Sequence, residues 1–490
     1  MNTKKDFMPT LGLITTVSIV VGGVIGSGIF KKPAVMALQL GSPEWLLFIW
    51  VLAGVLTLFG ALTNAEIASM IPETGGQYEF FRTMYGEFMA YLYGWSMFSV
   101  VQTASIASIT YIFADSVHSL IPLPRLSAEM EAWSVYLPFI GSIFPLKDFG
   151  IKILTVAAIL ILTYVNHRGV TFGGTVQVMF TALKILALLF IVAMAFLLGT
   201  GNLSHFTLDM TTTQGISSVP TDWALVSALV MALSGAFWAY DGWNNITFIA
   251  GEVKEPSRTI PRGLFIGMFI IIAVYLLINI AYLYILPVNA MAGSSLVAVD
   301  VVRSIFSSID PGLASLATGF IAIAIMISTF GASNGTILVS SRIYYAMAKQ
   351  GLFFRSIGTV HPIFKTPSKA LIIQGIWSSI LVFSGTFDTL TDMLIFVSWI
   401  FYAMGAIGVF VLRKKMPDHP RPYRVWGYPF IPAIFVIFAI GFVGYTLYND
   451  IAMYMNGSTP IINSVFGLAF VALGIPFYLY FRRQQTTSFE

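Results

Sequence analysis

Apolar runs long enough to cross a bilayer recur from one end of this chain to the other, and no stretch of soluble-domain composition separates them. A span needs about 20 apolar residues. Twelve such runs fall near 12–38, 45–70, 88–119, 150–166, 174–199, 223–250, 262–286, 312–345, 369–386, 391–412, 430–448 and 462–481. Only 10% of the 490 residues are charged, against about 25% in an ordinary soluble domain, so little is left to face water. Backbone groups in hydrocarbon must pair inside the chain, and helices satisfy them segment by segment. The reading is an all-α polytopic membrane protein with twelve transmembrane helices. Lys4 and Lys5 before the first run resemble a secretory leader. The run continues through Lys31, Lys32 and Pro33 with no small-residue cleavage site, so it is read as retained.

Lysine and arginine collect in cytoplasmic loops. With the N-terminus inside, about 19 of the 26 basic residues fall on the cytoplasmic side, including the groups Lys254, Arg258 and Arg262 and Arg413, Lys414 and Lys415. Both termini are therefore expected in the cytoplasm, with the chain in the inner (plasma) membrane. These clusters orient the protein and meet anionic headgroups; with no folded soluble module behind them, they do not point to nucleic acid. Cysteine is absent, which rules out disulfides, including one to an accessory subunit, and thiolate chemistry. The five histidines sit in loops or near helix ends, with no pair at metal-ligand spacing on one helix. No metal, cofactor or enzymatic activity is expected.

The first run contains VVGGVIGSGIF, Val20 to Phe30. Each glycine weakens a helix interior by about 1 kcal/mol relative to alanine. An unwound backbone at membrane depth is tolerated only where protein or a polar cavity satisfies it, so the break points to a ligand. The sixth run carries a second break, SGAFWAYDGWNN from Ser234 to Asn245, with Gly235 and Gly242 about an intramembrane Asp241. Breaks in helices one and six are the mark of a transporter built from two inverted five-helix repeats. The expected division is 12–212 for the first repeat, 213–412 for the second and 430–481 for two further helices. Half-helix N-termini suit a carboxylate, and unwound carbonyls suit an ammonium; an amino acid offers both on adjacent atoms. The other explanation of the glycines, close packing of helices, is weakened by the pairing of the two breaks around Asp241.

The fifth run has one charge, Lys184. It lies about ten residues, or about 15 Å, in from Gly173, near mid-membrane and too deep to snorkel comfortably. An intramembrane lysine needs an internal partner such as backbone carbonyls. The expectation is that its ammonium bridges carbonyls of the first helix near the break, taking the place of a coupling sodium ion.

GSGIF at Gly26 to Phe30, AEIASMIPETGGQY after helix two, VQVMFTALK around Lys184, FWAYDGWNN continuing to GEVKEPSRTIPRG, and ASNGTILVSSR in helix eight together resemble the L-type amino acid transporter family of the amino acid, polyamine and organocation superfamily. The resemblance runs over essentially the whole chain. It implies the five-plus-five inverted-repeat fold of sodium-coupled leucine transporters, and sodium-independent one-for-one exchange of L-amino acids. It places the substrate carboxylate on the amides of Gly26, Ser27 and Gly28, and the α-ammonium on carbonyls at Val24 or Ile25, Trp238 and Asp241, with Ala239 and Gly242 in the same unwound stretch. Trp238 is implied as the gating aromatic and Asn244 as the pocket asparagine. Lys184 and a helix-seven tyrosine, Tyr282, are implied as the coupling pair. Animal members join an accessory glycoprotein through a cysteine that this chain lacks.

Asp241 stands where many members have a small residue. A carboxylate there could pair with arginine, lysine or ornithine, but it also resembles bacterial members that take serine and threonine, so neutral substrates stand ahead of cationic ones. Glu66 is read as capping, pairing or gating near the cytoplasmic mouth, and Gln102 and Asn334 as interhelical hydrogen bonders. A proton-coupled symporter, with Lys184 or Glu66 carrying the proton, is the alternative within transport. Paired broken helices favour a closed midplane site over the continuous pore of a channel.

Overall fold

Helices form wherever the apolar runs lie, and they stop where glycine, proline or a capping hydroxyl intervenes. The structure, a computed structural model, describes residues 9–168, 173–199, 201–207 and 220–486; the expected repeat boundary between 212 and 213 lies outside the described residues. The first run folds as two helices, α1 (Leu13–Val24) and α2 (Gly28–Leu40). Next come α3 (Pro43–Met70), a short α4 (Gln77–Tyr85) and α5 (Glu87–Ser96). A π-helical turn, Met97–Val101, leads from α5 into α6 (Gln102–Leu120). After a one-turn α7 (Ala128–Glu131), strands β1 (Val135–Leu137) and β2 (Gly141–Ile143) pair antiparallel, Val135 with Ile143. This hairpin occupies the loop whose sequence, PLPRLSAEMEAWSVYLPF, gave no structural reading.

The second part of the chain holds α8 (Phe149–His167), α9 (Gly173–Leu197) and α10 (Asp222–Tyr240), the last running into a 3-10 helix, Trp243–Glu252. It continues through α11 (Pro256–Ile285), α12 (Val288–Ala292), α13 (Val297–Ser307), α14 (Pro311–Lys349), α15 (Ser368–Val382), α16 (Phe387–Lys415), α17 (Phe430–Met455) and α18 (Asn463–Thr486).

Among the described residues eleven helices are long and apolar enough to cross a membrane. The remaining segment, expected over 369–386, is the correction: α15 has fifteen residues and stops at Val382. At 1.5 Å per residue it is about 22 Å long, shorter than a core about 30 Å thick. The reason is local. Ser384 and Gly385 interrupt the apolar pattern, and the Thr386 side chain accepts from the Thr389 amide to start α16 instead.

Burial ranks the helices. In the span containing α5 and α6, 94% of the most apolar stretch is buried, against 22% in α17. The first therefore runs through the middle of the bundle, while α17 shows most of its surface to lipid. Packing brings α2 against α10, α1 against α9 and α11, and α6 against α14. The two broken segments are thus held side by side in the interior.

Candidate substrate site

The glycines that weaken the first span determine how closely it meets the sixth. Helical bonding stops at Val24, Ile25 turns out to ψ 90°, and α2 starts afresh at Gly28. A Cβ on Gly28 would lie 2.5 Å from Ala239 Cα and 2.7 Å from its Cβ, so α2 rests directly on the α10 backbone. In the sixth span, α10 ends at Tyr240, Asp241 is extended, and Gly242 takes φ +96°, a conformation that costs an L side chain strain. A Cβ on Gly242 would meet the Gly23 carbonyl oxygen at 3.2 Å. The breaks face each other.

Between them lies a cavity of about 20 Å³. Its walls include Val24, Gly26, Ser27 and Gly28 from the first break and Trp238, Asp241 and Gly242 from the second. Two buried polar atoms on this lining, Ser27 Oγ and Trp238 Nε1, have no hydrogen-bond partner. Buried polar groups are nearly always paired, so both atoms are available to a polar ligand that enters the cavity. A single water needs about 10–15 Å³, so the cavity as it stands is closed around little more than that. An amino acid requires it to open.

Three residues expected at the site lie off the cavity. Ile25 and Ala239 contribute carbonyls to the surrounding framework instead. Asn244 turns away, its Nδ2 donating to Gln77 Oε1 at 2.9 Å; Asn245 lines the cavity and accepts from Gln102 Nε2 at 3.2 Å. Neighbouring residues of a helical turn point about 100–120° apart, so only one of the two adjacent asparagines faces the cavity. Ser105 and Ile109 of α6 and Thr336 of α14 complete the lining. Nothing in the sequence separated them from the other small polar and apolar residues on those helices.

Lys184 is buried, and its Nζ donates to the carbonyls of Gly22 at 3.0 Å and Ile25 at 3.2 Å. Those are acceptors that the break leaves without helical donors. Tyr282 has a buried hydroxyl with no partner, whereas the Tyr275 hydroxyl lies 3.1 Å from the Val24 carbonyl and 2.9 Å from that of Ala239. It links the two breaks. Seven residues separate the two tyrosines, about two turns or 10 Å, so they share one face of α11 at different depths. A hydroxyl shared between two carbonyls is worth about 1 kcal/mol net. Tyr275→Phe is expected to raise the half-saturation for substrate about three- to tenfold, measured by labelled amino acid uptake, with Tyr282→Phe the milder of the two.

Ion pairs close the cluster at both ends. Where α2 leaves the break, buried Lys32 donates to Asp388 Oδ1 at 2.7 Å and Thr391 Oγ1 at 2.9 Å of α16. Its Nζ also lies 4.9 Å from the Phe387 ring, which meets Trp238 edge-on at 6.1 Å. Lys31 pairs with Asp115 at 3.0 Å. At the other end of α3, Glu66 takes two bonds from Arg413, at 2.9 and 2.8 Å, and one from the Val425 amide; of the roles considered for it, pairing is the one the contacts match. Asn334 bonds to Asn166 between helices as expected, at 2.7 Å.

A polytopic helical protein with two interrupted spans meeting around a closed polar cavity is a transporter in its architecture. The family model for amino acid permeases matches residues 11–474, and the chain belongs to that family, within the amino acid, polyamine and organocation superfamily. It is a transport protein and not an enzyme. It is 32% identical over 443 residues to the serine/threonine exchanger SteT of Bacillus subtilis (strain 168), covering 90% of this chain and 91% of the relative. The human b(0,+)-type amino acid transporter 1 is 30% identical over 85% of this chain and 78% of its own length. The human large neutral amino acids transporter small subunit 2 is 29% identical over 96% and 79%.

Proposed function

We propose that this protein is a sodium-independent exchanger of L-amino acids, neutral ones first, working by alternating access in the inner membrane with both termini cytoplasmic. The observation that carries the reading is the Lys184 ammonium on the Gly22 and Ile25 carbonyls. The lysine nitrogen stands where unwound carbonyls suit a coupling cation, so no sodium is required to complete the site. In this reading the two halves, 12–212 and 213–412, are the inverted repeats that move about it. The substrate carboxylate sits at the start of α2 against the amides of Gly26, Ser27 and Gly28, where free N–H groups and the positive dipole end attract an anion. The ammonium goes to carbonyls of the breaks, and Trp238 closes over the pair.

Small neutral side chains are favoured by the resemblance to a relative named for serine and threonine exchange. Exchange is favoured by the resemblance to a relative named as an exchanger. The test is uptake of labelled L-threonine into proteoliposomes in sodium-free buffer with no pH gradient. Uptake should appear only when unlabelled threonine is trapped inside. Uptake into empty vesicles that requires an imposed proton gradient would replace the exchanger with a proton-coupled symporter.

A further inference from the structure

Asp241 borders two cavities. It lines the one between the breaks and also a second of about 10 Å³ behind it, walled by the rings of Phe237, Tyr240, Trp243, Trp399 and Phe435 with Thr57. The α16 residue Tyr402 also lines this second space and donates its hydroxyl to Asp241 Oδ1 at 2.7 Å. Aromatic faces around a carboxylate attract a cationic head group, and a hydrogen-bonded carboxylate already has part of its acceptor capacity occupied.

We propose that Tyr402 sets the charge selectivity of the site. By engaging Asp241, it withholds the carboxylate as a counter-ion, so the site takes neutral side chains and discriminates against basic ones. The inference rests on the reading of the paired breaks as an amino acid site. Tyr402 touches no substrate in this arrangement; it acts through Asp241 as a positioning residue. Removing only its oxygen leaves the ring and the shape of the cavity, but it strips Asp241 Oδ1 of its donor. A lysine or ornithine ammonium reaching past the break would then supply the missing partner.

The experiment is competition binding on purified protein: labelled L-threonine displaced by L-lysine or by L-alanine, in the native chain and in Tyr402→Phe. Lysine should compete at least tenfold better in Tyr402→Phe, with alanine changed by less than threefold. The gain should vanish in the double variant Tyr402→Phe with Asp241→Asn. Tyr402→Leu is the second variant, used if Tyr402→Phe does not survive extraction, and it should shift the lysine to alanine ratio in the same direction. An unchanged ratio in the variant, or lysine already competing as well as alanine in the native chain, overturns the proposal. Because binding is read without transport, threonine that binds but is not exchanged in loaded proteoliposomes counts against the exchanger alone. Threonine that does not bind overturns both.

Discussion

Replacing Lys184 by alanine is expected to cut exchange about a hundredfold while leaving the protein extractable and monodisperse. The substitution removes two charge-assisted hydrogen bonds, to Gly22 and Ile25 at 3.0 and 3.2 Å, each worth about 1.5–3 kcal/mol. About 2.7 kcal/mol corresponds to a hundredfold in rate or affinity. The carbonyls left behind are buried and face an apolar gap, so α1 relaxes toward whatever donor it can find and the substrate's ammonium acceptors move with it. Lys184→Gln, which retains donors without the charge, should recover part of the loss. Uptake by Lys184→Ala at the native rate, with normal expression, would remove the lysine from the mechanism and with it the argument for sodium independence.

The second large effect belongs to a single methyl group. Gly28→Ala is expected to reduce exchange more than tenfold or to lower the yield of folded protein, because its Cβ would fall 2.5 Å from Ala239 Cα and 3.2 Å from its nitrogen. Carbon atoms pack at about 3.5–4.0 Å, and here the obstacle is backbone, which cannot rotate aside. Overpacking costs about 1–3 kcal/mol in a well-packed interior. In this position it also pushes α2 away from α10, opening the cavity wall on which Ser27 and Trp238 sit. Ala239→Gly in the same chain should rescue only partly, since the closest atom is the Cα that glycine keeps. Gly235→Ala provides the contrast. Its Cβ would meet the flexible Lys32 and Met36 side chains at 3.4 Å, and the expected change in uptake is small.

These two residues also separate what could be read from the chain and what could not. Lys184 was legible because one charge in an apolar helix has to find a partner inside the bundle, and the nearest backbone lacking helical donors is a broken helix. Gly28 was legible as part of a break but not as a contact, since its neighbour Ala239 comes from another helix and carries no mark of its own. Asn245 was not singled out as a lining residue because nothing in the sequence says which of two adjacent asparagines faces the cavity. Tyr275 was missed because a tyrosine two turns away on the same face of α11 satisfies every local criterion equally well.

Lys31 and Lys32 were read only as residues that a secretory leader would not contain. Lys32 is the clearer case: its partner Asp388 lies 356 residues away, and nothing local to either residue announces the pair.

By itself, the sequence determined that this protein is a bundle of membrane-spanning helices with two of them broken, and it placed one lysine at the level of a break. Those properties follow from what each segment must do alone in hydrocarbon: bury its own polar backbone, or fail to where glycine interrupts it. Only the tertiary structure decided that Asn245 lines the cavity, that Tyr275 links the two breaks, and that Tyr402 engages Asp241. Each of these depends on the rotation and depth of one helix against another. Hydropathy constrains both only weakly, because an apolar helix can turn in the bundle without changing what its sequence looks like.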